Sequence, residues 1–255
     1  MKKSITNYFP QAALAVMFLF SSEFVEAAEV KVAVAANFYK PVLAIADQYQ
    51  QETGHQVSVS AGSTGKLYAQ IKNGAPFEVF LAADQKRPSL LVEQGLAKAS
   101  SQFTYAKGTL VLWSSKPELV DAKGEILNSE IKHLAICNPK TAPYGAAAVS
   151  ALQHLGIYQQ LQSKFVEGQS VGQTYQQISS GAVDLGFVAL SQVLVDSKLS
   201  RGSMWLVPSK LYAPIKQDAV LLNKGDSNPA AQEFIDYLRE NQITALIKGF
   251  GYEVE

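Results

Sequence analysis

Short apolar runs alternate with amphipathic segments along almost the whole chain. The first pair is EVKVAVAA at residues 29–36, which has the apolar content of a strand, followed by FYKPVLAIADQYQQETG at residues 38–54. In the second segment Ile45 and Tyr49 fall on one helical face, and Gly54 provides a C-terminal stop. Strands that alternate with helices in this way are typical of α/β proteins. The chain is therefore predicted to adopt an α/β fold.

The same alternation continues to the C-terminal end of the chain. Further predicted strands are HQVSVSA, FEVFLAA, GTLVLWSS, HLAICNP, KFVEG, VDLGFVAL and QDAVLLNKG. Further predicted helices are TGKLYAQIKNG, QKRPSLLVEQG, GAAAVSALQHLG, GQTYQQISSG and, as one or two helices, NPAAQEFIDYLRENQITALIKGFGY. No internal repeat or low-complexity tract interrupts the pattern, which favours compact α/β units over an extended array.

The first 27 residues have the layout of a secretory signal peptide. Two lysines form a basic start, and the nine residues from Ala12 to Phe20 form an apolar run that is too short to span a bilayer. Val25 and Ala27 stand at positions −3 and −1 of a small-residue cleavage site. The alternative is an apolar first helix of the fold. We predict a signal peptide at residues 1–27 and, in a Gram-negative cell, a periplasmic mature protein.

Composition narrows the class of protein. The chain has 22 basic and 22 acidic residues, so its formal net charge is 0, and neither a nucleic-acid partner nor a membrane surface is expected. The only cysteine, Cys137, cannot form an internal disulfide. Because it stands on an apolar predicted strand, we expect a small buried hydrophobic residue there.

The length of the chain fits two lobes. After the signal peptide about 228 residues remain, which would make two lobes of roughly 110 residues each. The β-rich passages near residues 105–110 and 213–220 are the predicted crossings between them. This gives a first lobe of residues 28–106 and 217–255 and a second lobe of residues 107–216.

The segment SVSAGSTGKLYAQIKNG, at residues 58–74, has some features of a phosphate-binding P-loop, which requires G-x-x-x-x-G-K-[ST]. Ser60 stands where the first glycine is needed, and Leu67 replaces the hydroxyl that would hold Mg²⁺. A nucleotide site is therefore not predicted. Ser63 is instead a natural N-cap beside Gly62, and such a helix start can offer unpaired N–H groups to an anion. An ordinary capped helix without a ligand is the alternative.

Three other turns have the same construction. Asn37 follows the first predicted strand, Tyr144 lies at the start of a helix in TAPYGAAAV, and Val171 does so in GQSVGQTY. In open α/β sheets, turns that follow strands lie at the carboxyl ends of those strands, where ligands bind. If the two lobes face each other, these residues and Ser63 converge on one cleft, two from each lobe. Their neutral N–H and O–H groups would then hold an anion, whereas Lys66 is expected on an exposed helix face.

The most distinctive motif of the chain is GAPFEVFLAADQ, preceded by GSTGKLYAQI. With it, the chain resembles the periplasmic molybdate-binding proteins of ABC transporters, the ModA family, from VKVAVAANF to IKGFGYEVE. The resemblance implies the type II periplasmic binding protein fold. That fold consists of two α/β lobes, a hinge of two crossing strands and an oxyanion in the cleft.

The resemblance implies a role for each turn residue. Asn37 would bind the oxyanion through its side chain and backbone N–H, and Ser63 through its hydroxyl and N–H. Tyr144 and Val171 would each donate a backbone N–H. The contacts of Ser63 and Val171 would reach the metal only through the oxygens of molybdate, not as direct metal ligands. Asp84, which ends the AAD motif, is expected to be a turn or cap residue.

The resemblance also implies the function and the partners. The protein would capture molybdate, and also tungstate, in the interlobe cleft and deliver it as a monomer to an inner-membrane ABC permease, without a cofactor. No Asp or Glu lies in the four turns, so the predicted site has only donors and disfavours phosphate, whose proton needs an acceptor. Sulfate, thiosulfate or another small oxyanion is the alternative ligand, because cavity size cannot be read from the sequence.

One position departs from the family. Several members carry a tyrosine after the strand that reads DLGFVAL here, and its hydroxyl contacts the oxyanion, but this chain has Ala189. We hypothesise that the hydroxyl of Tyr144 supplies the missing donor.

An exported enzyme is the alternative from another functional class. Catalysis would require a nucleophile–base pair or a metal cluster. The three histidines, His55, His133 and His154, all lie outside the four turns, and nothing places one beside Cys137. The chain is therefore not predicted to be an enzyme.

Overall fold

The computed structural model describes residues 27–195 and 197–254. The predicted signal peptide, apart from Ala27, lies outside the described residues. The strands are β1 (Glu29–Ala35), β2 (Gln56–Gly62), β3 (Val79–Leu81), β4 (Phe103–Gly108), β5 (Leu110–Ser114), β6 (Leu134–Cys137), β7 (Phe165–Gly168), β8 (Gly186–Ala189), β9 (Leu194–Val195), β10 (Lys198–Leu199), β11 (Ser203–Leu206) and β12 (Ile215–Leu221). The α-helices are α1 (Tyr39–Thr53), α2 (Thr64–Lys72), α3 (Lys86–Glu93), α4 (Pro143–His154), α5 (Tyr158–Leu161), α6 (Val171–Ser179), α7 (Leu190–Val193), α8 (Pro229–Tyr237) and α9 (Asn241–Gly249).

Two five-stranded sheets define two lobes. The first sheet has the order β2-β1-β3-β12-β4 and the second has the order β11-β5-β8-β6-β7. In the first lobe β1 pairs in parallel with β2 and β3, whereas β12 runs antiparallel to its neighbours. In the second lobe β6 pairs in parallel with β7 and β8, and β5 is antiparallel to β8 and β11. The predicted α/β fold with two lobes is confirmed.

The chain crosses between the lobes twice. It leaves the first sheet after Gly108 and returns to that sheet at Ile215, and these two residues are paired across the antiparallel strands β4 and β12. The two strands side by side form the hinge that the resemblance implies. The lobe boundaries predicted at 106/107 and 216/217 stay a prediction; the strands of the first sheet extend two residues beyond each of them.

The entrance to α1 follows from its proline. Pro41 is tolerated in the first helical turn because the N–H it lacks would have no intrahelical acceptor there. The helix accordingly starts at Tyr39, and a 3₁₀ turn at Ala36–Phe38 connects it to β1. Gly54 ends the helix with a φ of 77°, and its N–H bonds back to a helix carbonyl at 2.9 Å. Asn37 is thereby left in the turn at the mouth of the helix.

Strand β11 was not predicted from the sequence. Only Trp205 of its four residues is buried, so SMWL lacks the apolar run or clean alternation by which strands are recognised. It is an edge strand of the second sheet, where pairing with β5 on one side is sufficient.

Each lobe has an apolar core. Phe38, Tyr49 and Phe80 are fully buried in the first lobe, and Trp113 and Phe187 are fully buried in the second. Because large aromatic side chains bury more apolar area than other residues, they contribute most to holding the helices against the sheets. Of the helices in the described part of the chain, none has the length and apolar content to cross a membrane.

Cys137 is buried at the end of β6, as predicted. Burial raises the pKa of its thiol to about 12, because the thiolate would lose its hydration. The thiol is therefore protonated at neutral pH and is not poised as a nucleophile.

Candidate anion-binding site

A small cavity lies between the lobes where four strand-to-helix turns meet. It is bordered by residues of both lobes. The lining residues are Ala35, Ala36, Asn37, Gly62, Ser63, Thr64, Ala83, Ala142, Pro143, Tyr144 and Val171. The four turn residues predicted from the sequence therefore share one cavity.

The cavity wall carries no charge among the described residues. Each lining residue is apolar or carries a neutral hydroxyl or amide, and none of the three histidines is among them. Within residues 27–195 and 197–254 there is also no group of three His, Cys, Asp or Glu side chains that could hold a metal ion.

The side-chain amide of Asn37 is hydrogen-bonded within the protein. The residue is 2% exposed, and its Nδ2 donates to Gln217 Oε1 at 2.8 Å and to the Tyr252 hydroxyl at 2.9 Å. Both amide hydrogens are thus used within the protein, and the side-chain contact with an oxyanion that the resemblance implies stays a prediction. The backbone N–H lies in the first turn of a 3₁₀ helix, where no intrahelical acceptor exists.

Ser63 stands at the N-cap position of α2 but does not act as a cap. Its backbone is extended, as an N-cap requires, yet its hydroxyl makes no capping hydrogen bond, which corrects the prediction of an ordinary cap. The hydroxyl oxygen is instead buried at the cavity without any partner. Because buried polar groups are almost always paired, this hydroxyl is a candidate contact for a ligand oxygen. Thr64 is anchored differently, since its Oγ1 accepts the N–H of Ala83 at 3.1 Å.

The second lobe presents two helix starts to the cavity. Pro143 begins α4 and places Tyr144 second in the helix. Val171 begins α6, where the Ser170 hydroxyl caps the helix by accepting the N–H of Gln173 at 3.3 Å. The N–H groups of Tyr144 and Val171 have no intrahelical acceptor, and they carry the positive end of the helix dipole. Both positions were predicted correctly as helix starts.

The hydroxyl of Tyr144 lies at the hinge. It accepts a hydrogen bond from Gln217 Nε2 at 3.3 Å. Burial, and secondarily the neighbouring Tyr252 and Tyr105, raise the pKa of Tyr144, so the hydroxyl stays protonated. Ala189 is fully buried and supplies no hydroxyl. Whether Tyr144 replaces the absent donor at Ala189 stays a prediction.

Sequence reasoning missed a buried polar network behind the cavity. Tyr252 donates to the Ser191 hydroxyl at 2.9 Å, and Ser191 donates to the backbone oxygen of Asn37 at 3.0 Å. Gln217 completes the network through its bonds to Asn37 and Tyr144. One signal was present in the sequence: Gln217 and Asp218 directly precede the apolar run AVLL of the predicted strand, and a buried polar residue in a strand needs partners.

The two lobes are closed on each other. Direct hydrogen bonds run from Lys40 Nζ to the carbonyl of Gln192 at 3.2 Å and from the N–H of Gly65 to the carbonyl of Thr141 at 2.8 Å. The ammonium group of Lys40 also lies 5.7 Å from the ring centroid of Tyr175, a cation–π distance. The cavity is therefore seen in its closed form.

Two α/β lobes, a two-strand hinge and a closed polar cavity without charge define a type II solute-binding protein. The model of the family described as "Bacterial extracellular solute-binding protein" matches residues 30–253. The chain belongs to this family of bacterial extracellular solute-binding proteins.

Relatives place the chain in the ModA branch of the family. It is 55% identical over 231 residues to the molybdate-binding protein ModA of Azotobacter vinelandii, covering 90% of this chain and 92% of the relative. It is 48% identical over 229 residues to ModA of Rhodobacter capsulatus, covering 90% of each chain. The solved structure of an A. vinelandii periplasmic molybdate-binding protein superposes with a TM-score of 0.86 at 45% identity, covering 89% of this chain and 99% of that one.

Proposed function

We propose that this protein captures molybdate, and also tungstate, in the interlobe cavity and delivers it to an ABC permease in the inner membrane. The proposal rests on one observation: helix starts from both lobes and the partnerless hydroxyl of Ser63 border a single uncharged cavity. Proteins 55% and 48% identical to this chain are named as molybdate-binding. The chain is, like them, a non-enzymatic binding protein.

The chemistry of the cavity suits a dianion without a proton. Molybdate and tungstate only accept hydrogen bonds, and each bond from a neutral donor to a charged acceptor contributes about 1.5–3 kcal/mol. The N–H groups of Asn37, Tyr144 and Val171, with the hydroxyl and N–H of Ser63, would supply several such bonds. Phosphate retains a proton near neutral pH and would need an acceptor, and the cavity wall carries no carboxylate among its lining residues.

Closure explains how the anion would be held without a counter-ion. Donors on two lobes can surround a ligand only when the hinge is closed, so binding favours the closed state over the open one. The closed state then forms a surface that spans both lobes, which a permease can distinguish from the open form. Residence in the periplasm, export by residues 1–27 and action as a monomer belong to this proposal.

Calorimetric titration of the mature protein with molybdate, tungstate, sulfate and phosphate tests the proposal. We expect one-to-one binding of molybdate and tungstate and no saturable binding of phosphate. Sulfate that binds as tightly as molybdate would favour the alternative of a sulfate-type oxyanion carrier. Absence of binding by all four anions would overturn the oxyanion site itself.

A further inference from the structure

Two consecutive carbonyls of the second lobe accept hydrogen bonds from the first lobe. The carbonyl oxygen of Thr141 accepts the N–H of Gly65 at 2.8 Å. The carbonyl oxygen of Lys140 accepts a hydrogen bond from Arg87 Nη2 at 3.0 Å. Residues of the first lobe therefore hydrogen-bond to two adjacent peptide units of the loop that leads into α4, across the cleft.

Asp84 holds Arg87 in position for this contact. Its Oδ1 accepts the N–H of Arg87 at 2.8 Å, which caps the start of α3 as the sequence predicted. Its Oδ2 pairs with Nη1 of the same arginine. Each side chain is only 20% exposed. Because one nitrogen of the planar guanidinium is fixed by Asp84, the other is directed at Lys140.

Gly65 is needed here for close approach. A Cβ at this position would lie 3.0 Å from Arg87 Nη2 and 3.0 Å from both Cα and O of Thr141. Its φ is not positive, so its backbone conformation does not require glycine. Gly65, the second glycine of the GSTGK motif, therefore allows close contact between the two lobes rather than binding of a phosphate.

We infer that Arg87, positioned by Asp84, and Gly65 form a closure clamp that sets how long a bound oxyanion is retained. Gly65 follows Thr64, which lines the cavity, and the loop that contains Lys140 and Thr141 leads directly to Tyr144. The clamp thus joins the anion-donating helix starts of both lobes, and it can exist only when the cleft is closed. This inference rests on the proposed function, since retention is defined for a ligand.

Stopped-flow measurement of molybdate association and release tests the role of Arg87. We expect Arg87→Gln to raise the release rate about threefold to tenfold, as loss of one partly exposed charged hydrogen bond implies. Arg87→Lys keeps the charge but loses the fork geometry, so it should also speed release. If the arginine merely attracted the anion by its charge, Arg87→Lys would behave as wild type and Arg87→Gln would slow association instead.

Arg239 provides a matched control for Arg87. Its Nη1 pairs with Asp236, also three residues earlier, and its Nη2 donates to the carbonyl of Ser101 at 3.2 Å. All of these partners lie in the first lobe. Arg239→Gln therefore removes the same kind of contact without touching the cleft, and its release rate should match wild type.

A second variant separates closure from folding. Gly65→Ala should weaken molybdate binding at least tenfold, because the added methyl group obstructs the contact with Thr141. The melting temperature of the ligand-free variant should stay the same or rise, since alanine favours helix over glycine. Gly249→Ala, in α9, is the control: a Cβ there meets nothing within 4 Å, so binding should be unchanged.

The clamp and the proposed function fail in different ways. If wild type binds no oxyanion in calorimetry, the proposed function fails. If wild type binds molybdate but Arg87→Gln and Arg87→Lys release it at the wild-type rate, only the clamp is overturned. Equal losses of affinity in Gly65→Ala and Gly249→Ala would overturn the clamp as well.

Discussion

The side-chain nitrogen of Asn37 lies 2.8 Å from Oε1 of Gln217, so a residue of hinge strand β12 fixes a turn that lines the cavity. The same glutamine donates through Nε2 to the hydroxyl of Tyr144, which belongs to the second lobe. One fully buried side chain thus holds a cavity residue of each lobe. The hinge and the site are consequently a single hydrogen-bonded unit in the closed protein.

Replacing Gln217 should therefore affect both stability and binding. Gln217→Ala leaves the amide of Asn37 and the hydroxyls of Tyr144 and Tyr105 each without one partner. We expect the free energy of unfolding to fall by about 1–3 kcal/mol for each group left unpaired, and molybdate affinity to fall with it. Urea unfolding and calorimetry measure the two effects. Gln232→Ala, whose side chain bonds only within α8 at an exposed position, should change neither.

Ser63→Ala should weaken binding without weakening the fold. The hydroxyl has no hydrogen-bond partner among the described residues, so its removal breaks no hydrogen bond of the fold. Loss of one donor to a dianion should reduce molybdate affinity about tenfold to a hundredfold.

The opposite pattern is expected for Ser114→Ala. That hydroxyl is also buried, but it donates to the carbonyl of Asp184 at 2.5 Å, away from the cavity. Its removal should lower the melting temperature and leave affinity unchanged. Equal affinities of wild type and Ser63→Ala would remove the partnerless hydroxyl from the proposed site.

Variants at Tyr144 test what its hydroxyl does. Suppose that Tyr144 contacts the anion only through its backbone N–H and that its hydroxyl serves only the hinge. Tyr144→Phe should then bind molybdate within about fivefold of wild type, and its free energy of unfolding should fall by about 1 kcal/mol. Tyr144→Ala should lose about 3–5 kcal/mol of stability because it leaves a large cavity. Affinity that falls as far in the phenylalanine variant as in the alanine variant would identify the hydroxyl as a ligand contact in place of the tyrosine absent at Ala189.

Stability should decline in alkali partly through Cys137. Burial raises the pKa of its thiol from 9.0 to about 12, so the folded state retains a proton that the unfolded state loses. Below pH 9 both states are protonated and the thiol has no effect. Above pH 9 the unfolded state ionises first, and the free energy of unfolding falls until about pH 12, by at most about 1.4 kcal/mol per pH unit.

Comparison with Cys137→Ala isolates this contribution. Between pH 9 and pH 10 wild type should lose about 1 kcal/mol more than the variant in urea unfolding. Buried tyrosines such as Tyr105 and Tyr252 also have raised pKa values. Both proteins contain them, so their contribution cancels when the unfolding free energies of wild type and variant are subtracted. Parallel pH profiles for the two proteins would show that the thiol is accessible in the folded state.

The positions of the four turn residues at the cavity could be predicted because each depends on local chain geometry. Asn37, Ser63, Tyr144 and Val171 all follow a strand or precede a helix, and parallel strands end at one edge of their sheet. Periodicity and turn residues are enough to recognise such places. The two-lobed fold followed for the same reason, since strand and helix patterns alternate throughout.

The direction of each side chain could not be predicted. Ser63 has the sequence of a cap but not its hydrogen bond, and the side-chain amide of Asn37 bonds to Gln217 and Tyr252, partners that no local pattern indicates. Both outcomes depend on contacts far apart in the chain, such as the bond between Asn37 and Tyr252, 215 positions away. A sequence pattern reports neighbours along the chain, whereas these bonds depend on how the two lobes close.

A cavity wall without cations has an effect beyond the cavity. The chain is formally neutral, and a trapped dianion would meet only dipoles, which orient toward charge but do not cancel it. Binding adds the two negative charges of the ligand, and the wall has, among the described residues, no carboxylate, amine or imidazole that could take up a proton in compensation. The loaded carrier would be two units more negative than the empty one and migrate faster toward the anode in a native gel. A membrane partner would therefore meet two forms of the protein, loaded and empty, that differ in net charge.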